Sequence, residues 1–305
     1  ERGAKNDAEL AEFIIKKTLK GLPVTLKIPK LGCSTFNART PGGEYLFGRN
    51  FDNYDAQFAL VHTRPHHGYE SISMVDLSFV GFDRSPFGRA LALSAPYLPL
   101  DGMNEKGLAV AVLQLHTAAT DQNTEKPDIT TTSAIRILLD TCATVTEAIE
   151  CLSRYDMHSS AHAPYHFQLA DAGGDSATVE YLDDKLTVVR NPHGSLCTTN
   201  FVLAPGAYFN HGKGQSRHAA LTQALEKTGG IATEDECMAL LSSVQMTNAR
   251  YVNNKTAQTL WSAVYNNSAR KGQCGKGSHL FANEAQAAIT GIGKVSGYSF
   301  YITAK

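Results

Sequence analysis

Residues 30 to 52, KLGCSTFNARTPGGEYLFGRNFD, place a cysteine directly after a glycine and end in an Arg-Asn-Phe-Asp cluster. If the Gly32–Cys33 bond is cut, Cys33 acquires a free α-amine. Its ordinary pKa of about 7.7 to 8.0 is close enough to neutrality for it to serve as a base beside its own thiol. Nucleophile and base are then one residue. Gly32, without a side chain, lets the backbone bend for attack on the preceding carbonyl. Asp52 can hold the new amine by a charge-assisted hydrogen bond, and Arg49 can lower the thiol pKa or orient the carboxylate. The same two residues also fit an ordinary ion pair at a strand end.

The other cysteines set the background. Cys142, Cys151, Cys197, Cys237 and Cys274 form no C-x-x-C pair and no metal-finger spacing, and read as buried small hydrophobes. His158, His162 and His166 recur every four residues, which on one helix would make a metal site, but Pro164 argues against that helix and YHFQLAD reads as a strand. No metal and no organic cofactor is called for. No G-x-S-x-G string suggests a serine hydrolase.

The chain must position these groups with 305 residues, 43% of them hydrophobic, enough for a large core. Its 28 Lys and Arg balance 29 Asp and Glu, so neither nucleic acid nor an acidic surface is indicated as partner. No apolar run approaches the roughly 18 residues that span a bilayer, and no membrane insertion of the mature chain is expected.

Residues 1–32 read as a prosegment, removed or capping: an amphipathic helix over Glu9 to Leu22 with Leu10, Phe13, Ile14 and Leu19, stopped by Gly21 and Pro23, then the linker VTLKIPK. Residues 33–305 read as one catalytic domain. The missing initiator Met and the prosegment point to an exported bacterial protein, extracellular or at the cell surface, with a cytoplasmic place left open.

From Cys33 the texture is strand and turn. CSTFNA and YLFGRNF flank Gly42-Gly43 as a hairpin, followed by FALVHTR, SISMVDLSFVGF, GLAVAVLQL, HFQLADA, SATVEYL, KLTVVRN, SLCTTNF, TLWSAVY and YSFYITA. Helices are expected over Ser133 to Ala143, after Thr144 with Glu147 as a capping box, over Ser216 to Lys227, and after Thr233 with Glu236 as a second box. Residues 117–131 form a long polar loop, a lid or plain surface. Strands and helices in blocks favour a layered α+β sandwich. Trp261 is expected to pack the sheet.

GCSTF, YLFGRNFDNYD, DGMNEKGLAVAVLQL, YHFQLADAGGDSATVEY, CTTNF and TLWSAVY, in this order and spacing, resemble the choloylglycine hydrolase family over residues 32 to about 266. That family of linear amide C–N hydrolases includes bile salt hydrolases and penicillin V acylases. The resemblance implies an αββα N-terminal-nucleophile fold, Cys33 as nucleophile, and Arg49 and Asp52 at the family's offsets of 16 and 19 residues. It further implies Asn200 as an oxyanion donor, a role that can contribute about 3 to 4 kcal/mol, and Arg217 as the arginine completing the site. Asn104 fits a turn beside the site.

Two departures stand out. Gln114 occupies the position where bile salt hydrolases have asparagine and penicillin V acylases tyrosine, a substrate-binding position. Only 17 residues separate Asn200 from Arg217, against a longer insertion that contributes to assembly in the bile salt enzymes. A homo-oligomer is possible but not specified. The resemblance implies a cysteine amidohydrolase of small N-acyl amides, acting through a thioester after self-cleavage or external cleavage at Gly32–Cys33. Alternatives are an acyltransferase using the same site and a non-enzymatic binding protein on the same fold.

Overall fold

The computed structural model describes residues 3–26, 32–54, 57–83, 85–191, 194–247, 249–250, 256–275, 279–281 and 298–304. Two antiparallel sheets are stacked face to face. The first runs in the order Cys197–Thr198, Gly32–Arg39, Tyr45–Asn53, Thr256–Asn266, Lys271–Gly275 and His279–Phe281, with Ala249–Arg250 also pairing the fourth of these. The second runs Lys185–Val189, Ser176–Leu182, Tyr165–Ala170, Ala109–Gln114, Pro99–Asn104, Ser71–Asp76, Phe58–Pro65 and Tyr298–Ala304.

Helices Gln215–Lys227 and Glu234–Ser243 cover the outer face of the first sheet, and Thr131–Thr141 and Val145–Ser153 that of the second. The result is the expected α+β sandwich of four layers, αββα. Central strands such as Tyr45–Asn53, Ala109–Gln114 and Tyr165–Ala170 are covered on both faces and carry buried side chains on both sides. Phe36, Leu46 and Val264 meet Leu221, Leu225 and Leu241 under the helices, while Phe47, Ala263 and Tyr265 meet Met103, Ala109 and Ala111 between the sheets.

Local chemistry explains where the elements depart from the sequence reading. The strand expected over SISMVDLSFVGF stops at Asp76. The Asp76 carboxylate accepts from the Ser78 and Gln57 amides, and a 3-10 turn over Leu77–Val80 follows, closed by Gly81 at φ 71°. The helix expected from Ser133 begins at Thr131, because Thr130 caps it and Ser133 Oγ accepts from the Thr130 amide. Thr233 and Glu236 form the full capping box, whereas Glu147 reaches the amide of Ala143 rather than that of Thr144. Strands Pro99–Asn104 and Lys271–Gly275 carry no alternating signal and escape the sequence reading.

The loop at 117–131 is fastened rather than lid-like. Its end pairs as Asp128–Thr130 with Asp156–His158, Thr124 bonds Asp156 at 2.5 and 2.6 Å, and the His158 ring lies between Asp121 and Asp128 at 2.6 and 2.9 Å.

The N-terminal helix is Asp7–Lys17, shorter than expected, since Thr18 and Leu19 both bond back to the Ile14 carbonyl and Gly21 turns at φ 95°. Leu10, Ile14, Leu19 and Val24 bury against Val80, Leu91 and Leu98. Its partner is thus distant in sequence. Phe13 stays exposed, edge-on to Tyr97 at 5.7 Å. Part of the linker VTLKIPK lies outside the described residues, as does the Cys274 side chain.

Gly48 shows how closely neighbouring strands of the first sheet pack, since Phe36 is its direct cross-strand partner. A Cβ there would stand 2.5 Å from the ring of the fully buried Phe36. Gly48→Ala should therefore cost ~1–3 kcal/mol of stability through overpacking, read as a lower midpoint in urea unfolding, and Phe36→Leu in the same chain should recover part of the loss.

Candidate functional site

Cys33 sits at the start of strand Gly32–Arg39, opposite Phe51 in the neighbouring strand Tyr45–Asn53. Side chains alternate between the two faces of a strand, and that parity divides the site. Cys33, Arg49 and Phe51 point between the sheets, where the Cys33 thiol donates to the Val112 carbonyl at 3.7 Å. Ser34 and Asp52 point to the helix side, where Arg217 enters from helix Gln215–Lys227.

Arg217 gathers the helix-side groups. Nη1 donates to the Cys33 carbonyl at 2.7 Å, Ser34 Oγ at 2.6 Å and Asp52 Oδ2 at 3.0 Å, and Nη2 donates to Asn200 Oδ1 at 2.8 Å. The Cys33 amide donates to the same Asn200 oxygen at 2.8 Å. Two donors therefore fix the orientation of the Asn200 amide, and its Nδ2 donates to the Gln114 carbonyl at 2.9 Å. In the continuous chain, then, the Asn200 donor expected to face an oxyanion is occupied, while its oxygen holds the Cys33 nitrogen. Gln114 is buried at the end of strand Ala109–Gln114, beside Asn200.

Arg49 departs from the ion pair considered for it. Its partner is Asp101 of the opposite sheet, Nε to Oδ2 at 2.9 Å, both side chains fully buried. Arg49 and Asp52 are three apart and so lie on opposite faces. Asp101 also accepts from Trp261 Nε1 at 3.0 Å and from the Tyr265 hydroxyl, and Trp261 stacks on Phe51 at 3.9 Å. The Asp52 carboxylate instead binds Arg217 and the Thr259 hydroxyl, the latter at 2.5 Å. Asp101, Thr259 and Ser34 were not singled out in the sequence. Asp101 stood in the DGMN string, and its signal was an acid inside an otherwise apolar stretch.

Gly32 also differs from expectation. It continues the strand opposite Asp52 without a left-handed backbone, and a Cβ there would stand 3.1 Å from Asp52 Cβ and 3.4 Å from its Oδ2. Clearance for the carboxylate, rather than a bend, is what the missing side chain provides here.

Burial pushes the Cys33 thiol above its ordinary range; Arg49 draws it back, the Asp52 charge adds to the rise, and Arg217 opposes it. Burial also pushes Asp52 up, against Arg217, Thr259 and Arg49. A proton on sulfur is thus favoured at neutral pH in the continuous chain.

The remaining sequence candidates have structural partners. Asn104 shapes the turn as expected, its oxygen accepting from the Lys106 and Leu108 amides while its nitrogen donates to the Leu139 and Cys142 carbonyls. His158 and His166 lie in strands, and His162 in a turn at φ 50°. Among the described residues no group of three or more His, Cys, Asp or Glu is arranged to hold a metal ion.

The model of the linear amide C–N hydrolases, choloylglycine hydrolase family, matches residues 33–202, more than half of the chain. The chain belongs to the choloylglycine hydrolase family. Penicillin V acylase of Pectobacterium atrosepticum is 32% identical over 111 residues, 33% of this chain and 30% of that enzyme, so the aligned stretch spans less than a third of its length.

An arginine-to-leucine variant of conjugated bile acid hydrolase from Clostridium perfringens superposes with a TM-score of 0.64 at 17% identity, over 90% of this chain and 97% of that one. Penicillin V acylase from Agrobacterium tumefaciens gives 0.54 at 18%, over 80% and 83%. The Caenorhabditis elegans ortholog of N-acylethanolamine-hydrolyzing acid amidase gives 0.51 at 17%, over 77% and 93%. These likenesses show the N-terminal-nucleophile hydrolase fold for this member of the choloylglycine hydrolase family.

Two measurements follow from the geometry. Asp101→Leu strands the buried Arg49 cation and should cost ~3–5 kcal/mol in chemical denaturation, whereas pairing it with Arg49→Met should return much of that loss. Because the thiol is buried and raised, Cys33 in the uncut native chain should resist alkylation at neutral pH and become reactive on unfolding in denaturant, followed by peptide-resolved mass spectrometry.

Proposed function

We propose that this chain is a cysteine amidohydrolase of N-acyl conjugates whose nucleophile is Cys33, exposed by cleavage of the Gly32–Cys33 bond. One observation carries the reading: the Cys33 main chain is held at both ends, its nitrogen by Asn200 and its carbonyl by Arg217, with Asp52 bound to the same guanidinium. An ordinary strand residue needs no such clasp, while an N-terminal nucleophile does, because cleavage removes the chain that would otherwise fix its nitrogen.

In the processing step the sulfur attacks the Gly32 carbonyl, the C–N bond breaks, and the nitrogen takes the thiol proton to become an amine. Water then hydrolyses the Gly32 thioester and restores the thiol. Residues 1–32 are the prosegment in this reading, consistent with a family match that begins at Cys33.

In turnover the sulfur attacks the substrate amide carbonyl, and the α-amine passes a proton to the departing nitrogen. The thioester left behind is opened by water, the same amine taking the water proton. Asn200 holds the amine. Its Nδ2 serves the oxyanion once released from the Gln114 carbonyl, which makes Gln114 a residue at the substrate's edge. Arg49, beside the sulfur, favours thiolate. Arg217 and Asp52 keep the Cys33 backbone in place.

The relatives support this substrate class: conjugated bile acids, penicillin V and N-acylethanolamines, by the names of the enzymes, share an acyl group on a linear amide. We expect an apolar acyl or steroid part here too.

Intact mass of the purified protein, beside Cys33→Ala, tests the processing. Loss of residues 1–32 from the wild type alone is expected. The processed enzyme should then hydrolyse at least one of N-acyl amino acids, bile conjugates or phenoxyacetyl amides, with Cys33→Ala at background. A cleaved preparation silent on all three would sink the substrate class.

A further inference from the structure

His166 and Glu180 are fully buried and belong to no part of the site described above. They face each other across strands Tyr165–Ala170 and Ser176–Leu182. The His166 Nδ1 meets Glu180 Oε1 at 3.1 Å and its Nε2 meets the Thr199 carbonyl at 2.7 Å. Both neighbours are acceptors, so the ring satisfies them together only when both nitrogens carry a proton.

Glu180 holds the other end. Its two oxygens accept from the amides of Leu203 and Ala204, each at 2.9 Å. Burial works to raise this carboxyl, but His166 and those two amides outweigh it and hold it below the usual range, as an ionised acceptor requires. The pair thus grips the segment from Thr199 to Ala204 at both ends.

That segment leaves the regular sheet. The strand break at Thr199 separates Cys197–Thr198 from Asn200–Phe201, which pairs with Gly212–Lys213, while Val202 exchanges main-chain bonds with Asn210 and His211; beside this short ladder, the His166–Glu180 pair bonds the segment's main chain from the second sheet. The Thr199 carbonyl shares a rigid peptide plane with the Asn200 nitrogen, so holding one holds the other. Asn200 meets the Cys33 nitrogen at 2.8 Å.

We propose that His166 and Glu180 are positioning residues: a buried charged clamp, reaching from the second sheet, that sets Asn200 against Cys33 for the reaction. It rests on the reading of Cys33 and Asn200 as the reacting pair. A misplacement of about 1 Å can cost on the order of 100-fold in rate, and the clamp acts on kcat because it touches no substrate.

The test compares His166→Leu, which fills the space without a donor, with His166→Gln, which can still donate toward Thr199. Rates are normalised to processed Cys33, and amide exchange is followed over residues 198–205. His166→Leu should lose at least ~10-fold in kcat with KM little changed and exchange in 198–205 accelerated, while His166→Gln keeps most of the turnover. Unchanged kcat or unchanged exchange in His166→Leu overturns the proposal, and so do equal losses in the two variants, as a purely structural role would give. Should His166→Leu fail to fold, Glu180→Gln is decided by the same two readouts, because it removes an acceptor from the 203–204 amides. A wild type that is processed but turns over no amide defeats the amidohydrolase reading and the clamp with it; an active wild type matched by His166→Leu defeats the clamp alone.

Discussion

The buried pair Arg49–Asp101 is the contact on which the architecture around Cys33 turns. It crosses from one sheet to the other with no exposure on either side chain. Bringing two charges out of water is expensive, and their attraction offsets that cost only when the remaining hydrogen-bonding groups are met. Asp101 meets it by accepting also from Trp261 and Tyr265, both on the strand next to that of Arg49. Four side chains from three strands are thereby locked in one geometry, and Phe51, stacked on Trp261 and lying under the Arg49 guanidinium at 5.1 Å, stands directly opposite Cys33.

Around that anchor the period of two along a strand does the sorting. Arg49 faces the sulfur from between the sheets, while Asp52, three residues on, faces the helices. The two charges closest in sequence therefore act on different atoms of Cys33, one beside the thiol and the other toward its main chain. Arg217 is what joins the second set, since a guanidinium offers several donors in one plane and can serve a carbonyl, a hydroxyl, a carboxylate and an amide oxygen at once. The Asn200 segment approaches from the far side, and the second sheet holds it by His166 and Glu180.

Much of the fold was legible in the residues. The hairpin at Gly42-Gly43, the strands rich in Val, Thr and Tyr, and the Thr233–Glu236 capping box all appear where local chemistry put them. Boundaries were lost where a side chain intervened: the Asp76 carboxylate ended one strand by capping a 3-10 turn, and Thr130 began a helix two residues early. Strand Pro99–Asn104 was missed because its burial on both faces leaves no alternation to read, and with it went Asp101 as a site residue.

By itself the sequence determined the layered α+β class, the Gly-Cys pair with an amphipathic helix ahead of it, and, through its motifs, the choloylglycine hydrolase family. These follow from local propensity, from pattern and from strings of adjacent residues, all of which survive without knowing what lies across the core. Only the tertiary structure decided that Arg49 pairs with Asp101 rather than with Asp52, that Asn200 holds the Cys33 nitrogen while donating to Gln114, and that the spaced histidines serve separate hydrogen-bond networks. Each of those depends on which strand faces which. That is set by sheet order and parity over separations of 50 to more than 180 residues, a range at which no local pattern constrains the partner.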